Sequence, residues 1–197
     1  HPLVSVIDFS EVRPIRSSLR SFGVYAIFLK DVKCGDMIYG RQTYDYQEGT
    51  LVCLAPGQVF GAKDDGQLRQ PKGWALLFHP DLLRGTQLGR NIRNYTFFSY
   101  EVREALHLSE QERHVVIDCL QNIAGELQHA IDKHSRTLIV SNIELLLNYS
   151  TRFYERQFIT RNNVNRDVLA ILNKAYIPVR DQNAEAVPVI RHFPARC

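Results

Sequence analysis

The sequence predicts an α+β protein: short antiparallel strands forming a sandwich or small barrel over residues 1–106, followed by a C-terminal helical hairpin. Three observations carry this reading. Short β-branched and aromatic runs recur about every ten residues, each ended by a turn signal. No segment of crossover length separates them, so sequential strands pair antiparallel. Beyond Leu106 the apolar spacing changes to that of an amphipathic helix.

The strands follow in order. Residues 23–29 are rich in Val, Ile, Tyr and Phe, too short to insist on a helix, and end at the turn-prone Lys30-Asp31. Residues 37–39 and 43–46 come next, the latter alternating polar and aromatic side chains. Residues 49–54 stop at Ala55-Pro56-Gly57, a strong turn signal. A polar stretch, 63–72, reads as an exposed loop, and residues 74–78 form a wholly apolar strand halted by His79-Pro80.

The helices start at a capping box. Ser109 and Glu112 have the spacing at which each side chain satisfies an orphan donor of the first turn. Val116, Cys119, Leu120, Ile123, Leu127 and Ile131 then form one apolar stripe, broken by the charged residues 132–136. His134, at that break, suits the favourable dipole of a helix end. A second helix is expected over residues 137–157. Between Leu138 and Leu147 it is too apolar for one narrow face, so it should be covered from two directions. One cover is the preceding helix and the β-layer. The other is expected to be a second copy of the chain, with Ile143, Leu146, Leu147 and Phe153 at a homodimer interface. Asn165-Arg166-Asp167 then suggests the cap of a short helix, and the proline-containing end reads as extended.

Composition sets outer limits. Of 197 residues, 45% are apolar and 23% charged, enough apolar surface to offset the entropy of ordering the chain. The densest apolar run is interrupted by Ser141, Asn142 and Glu144, which argues against a membrane span. Cys34, Cys53, Cys119 and Cys197 form no CxxC pair and read as reduced thiols in a cytoplasmic protein. The net charge of +3 is concentrated after Ser135, where Arg152, Arg156, Arg161 and Arg166 face only Glu155. That cluster implies weak, salt-sensitive and sequence-independent affinity for DNA at best.

Constellations for chemistry are sparse. The seven histidines form no HxH, HxxxH or HExxH motif, and no GxSxG or phosphate-binding glycine loop is present. No catalytic residue, metal or cofactor is therefore expected; His79, against Pro80, reads as a hydrogen-bonded structural residue. What the β-region offers is rings on short strands. In a small barrel alternate residues point inward, where there is room for packed side chains or one small ligand. Trp74 and Phe78 share a parity and hence a face; with Phe60, Tyr39 and Tyr25 they are the expected pocket wall.

At this point the chain resembles a family. His1-Pro2-Leu3-Val4-Ser5-Val6-Ile7-Asp8, Tyr44-Asp45-Tyr46-Gln47-Glu48-Gly49-Thr50-Leu51 and Ala55-Pro56-Gly57-Gln58 are similar to segments of AraC/XylS-type bacterial transcriptional regulators. So are the stretch from Gly73-Trp74 to Gly85-Thr86, Phe97-Phe98-Ser99-Tyr100-Glu101 and Ser141-Asn142-Ile143-Glu144-Leu145-Leu146-Leu147. The resemblance implies a cupin-like, jelly-roll β-barrel (1–106) that binds a small organic effector, and a helical pair (107–160) that dimerises. A short helix and tail (161–197) would follow. DNA would be met only through a helix-turn-helix region that this chain does not contain. Metal-binding cupins carry an early HxH and a His after the Pro-x-Gly turn; here Phe60 stands near that second place, which favours a barrel without metal. Two rival functions remain: a cupin-type enzyme acting on a small metabolite, and a stand-alone small-molecule-binding module.

Overall fold

The computed structural model describes residues 3–31, 36–39, 42–45, 49–61, 63–99 and 105–175, with backbone alone for 36–39, 42–45 and 160–175. It is a mixed α+β fold in which every strand pairing among the described residues is antiparallel. The strands are β1 (Val4–Asp8), β2 (Ile15–Arg16), β3 (Arg20–Ser21), β4 (Tyr25–Lys30), β5 (Asp36–Tyr39) and β6 (Gln42–Asp45). They continue with β7 (Thr50–Leu54), β8 (Val59–Gly61), β9 (Leu68–Arg69), β10 (Gly73–Phe78) and β11 (Leu106–His107). Three α-helices follow the long strands: α1 (Gln87–Asn91), α2 (Glu110–Gln128) and α3 (Ser135–Ala175).

The principal sheet has five strands in the order β1-β10-β4-β7-β11; a four-stranded sheet, β3-β8-β5-β6, and the small pair β2-β9 accompany it. Among the described residues these sheets are open and do not close into a single barrel. The central strands β4, β7 and β10 are buried almost throughout, which is why their sequences read as continuous apolar runs rather than as an alternation. Register fixes which side chains share a face: Trp74 is opposite Leu29, Ala75 opposite Phe28, and Phe28 opposite Val52.

One face of the principal sheet packs on the helices. Ile27, Leu29, Leu51, Cys53, Leu76 and Phe78 join one core with Val116, Cys119, Leu120 and Ile123 of α2. Ile139, Val140, Ile143, Leu146, Leu147 and Phe153 of α3 complete it. Residues His1–Ile159 form one compact unit and Thr160–Cys197 a second. The opposite face carries a smaller cluster of Ala26, Phe28, Val52, Leu54, Phe60 and Ala75.

The capping box forms as expected: Glu112 N donates to Ser109 Oγ (3.3 Å) and Ser109 N to the Glu112 carboxylate (2.8 Å). α2 ends at Gln128, before the stripe does, leaving Ile131 92% exposed. α3 starts at Ser135 and runs without a break past 157, so Asn165-Arg166-Asp167 lies within a continuous helix rather than at the start of one. His134 therefore precedes the start of α3 rather than closing a helix, and the dipole does not favour its charge there. Its backbone N–H and that of Ser135 donate to Asp132 Oδ1 (2.7 and 2.9 Å), supplying acceptors that a helix start lacks.

The far end of the first unit is tied by polar contacts. β11 is an edge strand, and α3 covers its free groups: His107 N donates to Gln157 Oε1 (2.8 Å) and Gln157 Nε2 donates to Ala105 O (3.1 Å). Arg156 Nε donates to Glu112 (2.6 Å) and Nη2 to His107 O (2.8 Å). Arg113 grips Asp31 with two hydrogen bonds of 2.8 and 2.7 Å, fastening α2 to the end of β4. No described helix is long and apolar enough to cross a membrane.

Candidate functional site

The sheet face turned away from the helices borders a partly open cavity of about 310 Å³. β4 and β10 supply its floor through alternate residues, Phe28 and Lys30 from the first, Ala75 and Leu77 from the second. Ala75 opposite Phe28 leaves unfilled volume where a larger side chain would close the layer. Ile7 and Phe9 form one wall and Phe60 another. The rim comes from β2, β3 and β9, with Arg16, Arg20 and Arg69.

Two local devices hold this shape. Gln70 Nε2 donates to Val12 O (2.7 Å) and Phe9 O (3.2 Å), pinning the segment after β1 beside the rim. Gly61 sits at φ 131°, and a Cβ there would stand 2.0 Å from the Ser18 carbonyl oxygen, so only glycine lets the two backbones approach.

The interior combines rings with positive charge. Phe28 and Phe60 stack with centroids 4.6 Å apart and planes 8° from parallel; Phe9 continues the stack 6.4 Å from Phe28. Lys30 Nζ lies 5.6 Å from the centroids of Phe9 and Phe28 and 5.8 Å from that of Phe60, while the residue is only 8% exposed. Cation–π contact of this kind contributes about 0.5–2 kcal/mol each. It helps to hold the ammonium in place. Arg20 Nε donates to Ser18 Oγ (2.8 Å), and Arg69 pairs with Asp65. The described lining holds four cationic side chains and no carboxylate.

Of the expected pocket residues, Phe60 lies on the cavity wall. Trp74 and Phe78 do share a face, but it is the face toward the helices; Ala75 and Leu77 take the cavity side. Tyr25 follows them there, stacked on Phe78 at 5.1 Å and edge-on to Phe98 at 5.1 Å. Burial raises the Tyr25 phenol above its ordinary pKa, partly countered by Arg93. Tyr39 pairs with Phe60 through the backbone, and its side chain lies outside the described residues. The sequence reading missed Lys30, Phe9 and the rim arginines, and did not single out Phe28 from the other rings on short strands. A signal existed: Lys30 shares parity with Phe28 and Ala26, so a strand that looks uniformly apolar ends in a charge on one face only.

The expected interface residues also move. Ile143, Leu146 and Leu147 are 0% exposed and Phe153 6% within a single chain, packed in the helix–sheet core. A side chain already covered has no area left to bury on association. Among the described side chains of α3, the large apolar ones that are exposed are instead Leu138, Leu145, Phe158 and Ile159. Of the basic cluster, Arg156 is paired with Glu112, and the side chains of Arg161 and Arg166 lie outside the described residues.

His79 has a structural role: its Nδ1 accepts from Asp81 N at 3.1 Å, capping the short 3-10 turn Pro80–Leu83. Cys53 and Cys119 are buried, and burial pushes both thiol pKa values up, that of Cys53 strongly. Cys34 and Cys197 lie outside the described residues. Among the described residues, no group of three or more His, Cys, Asp or Glu side chains converges as a metal site would require. The chain matches no protein-family model and no curated protein.

Proposed function

We propose that this chain is the effector-sensing and dimerising part of an AraC-type transcriptional regulator, with the cavity beside β4 and β10 as the effector site. The observation that carries this reading is the cavity itself: about 310 Å³ of unfilled space beside a sheet whose other face is densely packed. Its size is at the lower end for small-molecule sites. The antiparallel layers fit the cupin-like region that the resemblance implies, and α3 fits its dimerisation element.

The homodimer surface in this reading is the outer stripe of α3. Leu138, Leu145 and Ile159 are 48%, 45% and 61% exposed and fall at multiples of seven residues, the repeat of two helices that pair along a seam. A second copy satisfies such a stripe with the same stripe, as a two-fold axis demands. Contact with DNA belongs to a helix-turn-helix region outside this chain.

Native mass spectrometry of the full chain tests the effector site. The expected result is a small non-covalent guest on the parent that is lost in Leu77→Trp, where an indole occupies the cavity. Equal occupancy in parent and variant would contradict the assignment.

A further inference from the structure

We propose that the cavity selects a flat aromatic guest of two rings, and that Leu77 is the residue that sets this size limit. The inference rests on the cavity being the ligand site and adds the size and ring character of what enters it.

Three features carry it. The first is volume. An apolar cavity of about 150 Å³ holds one benzene ring, and this one, at about 310 Å³, has room for two. The second is the character of the wall. Phe28 lies in a plane 6° from that of Phe9 and 8° from that of Phe60, so a flat guest can extend this stack or set its edge against a ring face. Ile7, Pro71 and Leu77 add aliphatic surface on which the rest of the guest leaves water. A saturated bicycle of equal carbon count gains that area but not the ring contacts. The third is bracing. Phe28 and Phe60 are 7% and 8% exposed and stack on each other. Gln70 pins the Phe9–Val12 segment, and the close approach of Gly61 to the Ser18 carbonyl ties the rim to β8. Walls fixed in this way resist widening, so an oversized guest is rejected as an oversized core side chain is. Leu77, half-buried on the floor, is the side chain whose length sets the depth that remains.

Four neutral probes provide the test, each titrated calorimetrically into the full chain at pH 7. Phenol, 2-naphthol and 2-hydroxyanthracene carry one, two and three fused rings, and decahydro-2-naphthol is the saturated form of the second. 2-Naphthol should bind about tenfold or more tighter than phenol, because it buries a second ring. It should bind about threefold or more tighter than decahydro-2-naphthol, the margin of the ring contacts. 2-Hydroxyanthracene should bind about tenfold weaker than 2-naphthol in the parent, and Leu77→Ala should reverse that order. If Leu77→Ala fails to fold, the milder truncation Leu77→Val should narrow the gap. Affinity that keeps rising to three rings in the parent, or equal affinity for 2-naphthol and its saturated form, would overturn the two-ring aromatic preference; if Leu77→Trp also abolishes that binding, the cavity stands as a ligand site. An unchanged order in folded Leu77→Ala or Leu77→Val would overturn the role of Leu77. Binding of none of the four, or 2-naphthol affinity unaltered in both Leu77→Trp and Phe60→Leu, would overturn the site itself.

Discussion

Lys30 and Cys53 belong to the same sheet and show how parity alone decides a side chain's chemistry. Cys53 faces the helix layer, where no charge is tolerated; burial lifts its thiol far above the ordinary value and keeps it protonated. Native protein treated with iodoacetamide at pH 8 should therefore leave Cys53 and Cys119, whose thiol is also raised by burial, unmodified, with both reacting once urea unfolds the chain. Rapid alkylation of either under native conditions would show that the packing is not as tight as described. Lys30 faces the other way, its ammonium set beside the rings of Phe9, Phe28 and Phe60. Asp132 presents the opposite shift: backbone N–H groups of His134 and Ser135 hold its carboxyl below the ordinary range. A lowered folded-state value means that its contribution is fully present above the ordinary carboxylate pKa and lost as pH falls through the folded value. Stability measured against pH should accordingly drop less steeply on that acid limb in Asp132→Ala than in the parent.

Elements differ in how far their sequences announced them. β4, β7 and β10 were legible because buried central strands need continuous apolar runs, and α2 because the Ser109–Glu112 box marks its first turn. Strands of two or three residues, such as β2, β3, β8, β9 and β11, are too short to carry a period; β9 lies inside what reads as a polar loop. Their pairing is decided by partners far along the chain, as in Arg20 opposite Phe60. The same non-locality hid the pocket. Alternation shows that Trp74 and Phe78 share a face, but when both faces are buried it does not reveal which one meets helices. On α3, the excess apolarity signalled burial, yet the sheet and α2, together the first of the two expected covers, already bury the residues expected at an interface. Leu146→Ala should then cost about 2–5 kcal/mol of folding stability in urea titrations while leaving the sedimentation behaviour of folded protein unchanged. Leu145→Glu should do the reverse, shifting sedimentation toward monomer with little change in the urea midpoint. A dimer indifferent to Leu145→Glu would remove the outer stripe from the interface.

For the molecule as a whole, the separation of roles between two faces of one sheet is the organising fact. The helix-side face holds the larger core and includes the most deeply buried side chains, so it supplies the rigidity. The other face was left thinner by small residues at Ala26 and Ala75, and it is there that volume and charge coexist. Substitutions should divide the same way. Changes at Ile27, Leu76 or Phe78 should lower stability and ligand binding together, whereas Phe60→Leu should weaken binding with a smaller effect on the unfolding temperature. α3 belongs to the rigid layer at Leu146 and exposes its own stripe at Leu145, one residue away. A guest bound on one face is thus separated from the outer helix only by the sheet and its core.

The measurement that bears most directly on this account is amide chemical-shift mapping of the chain saturated with 2-naphthol. The account predicts that the largest shifts fall on Ile7, Ser18, Phe28, Lys30, Phe60, Ala75 and Leu77, along the cavity. Largest shifts on Leu138, Leu145 and Phe158, with the cavity residues unmoved, would contradict it.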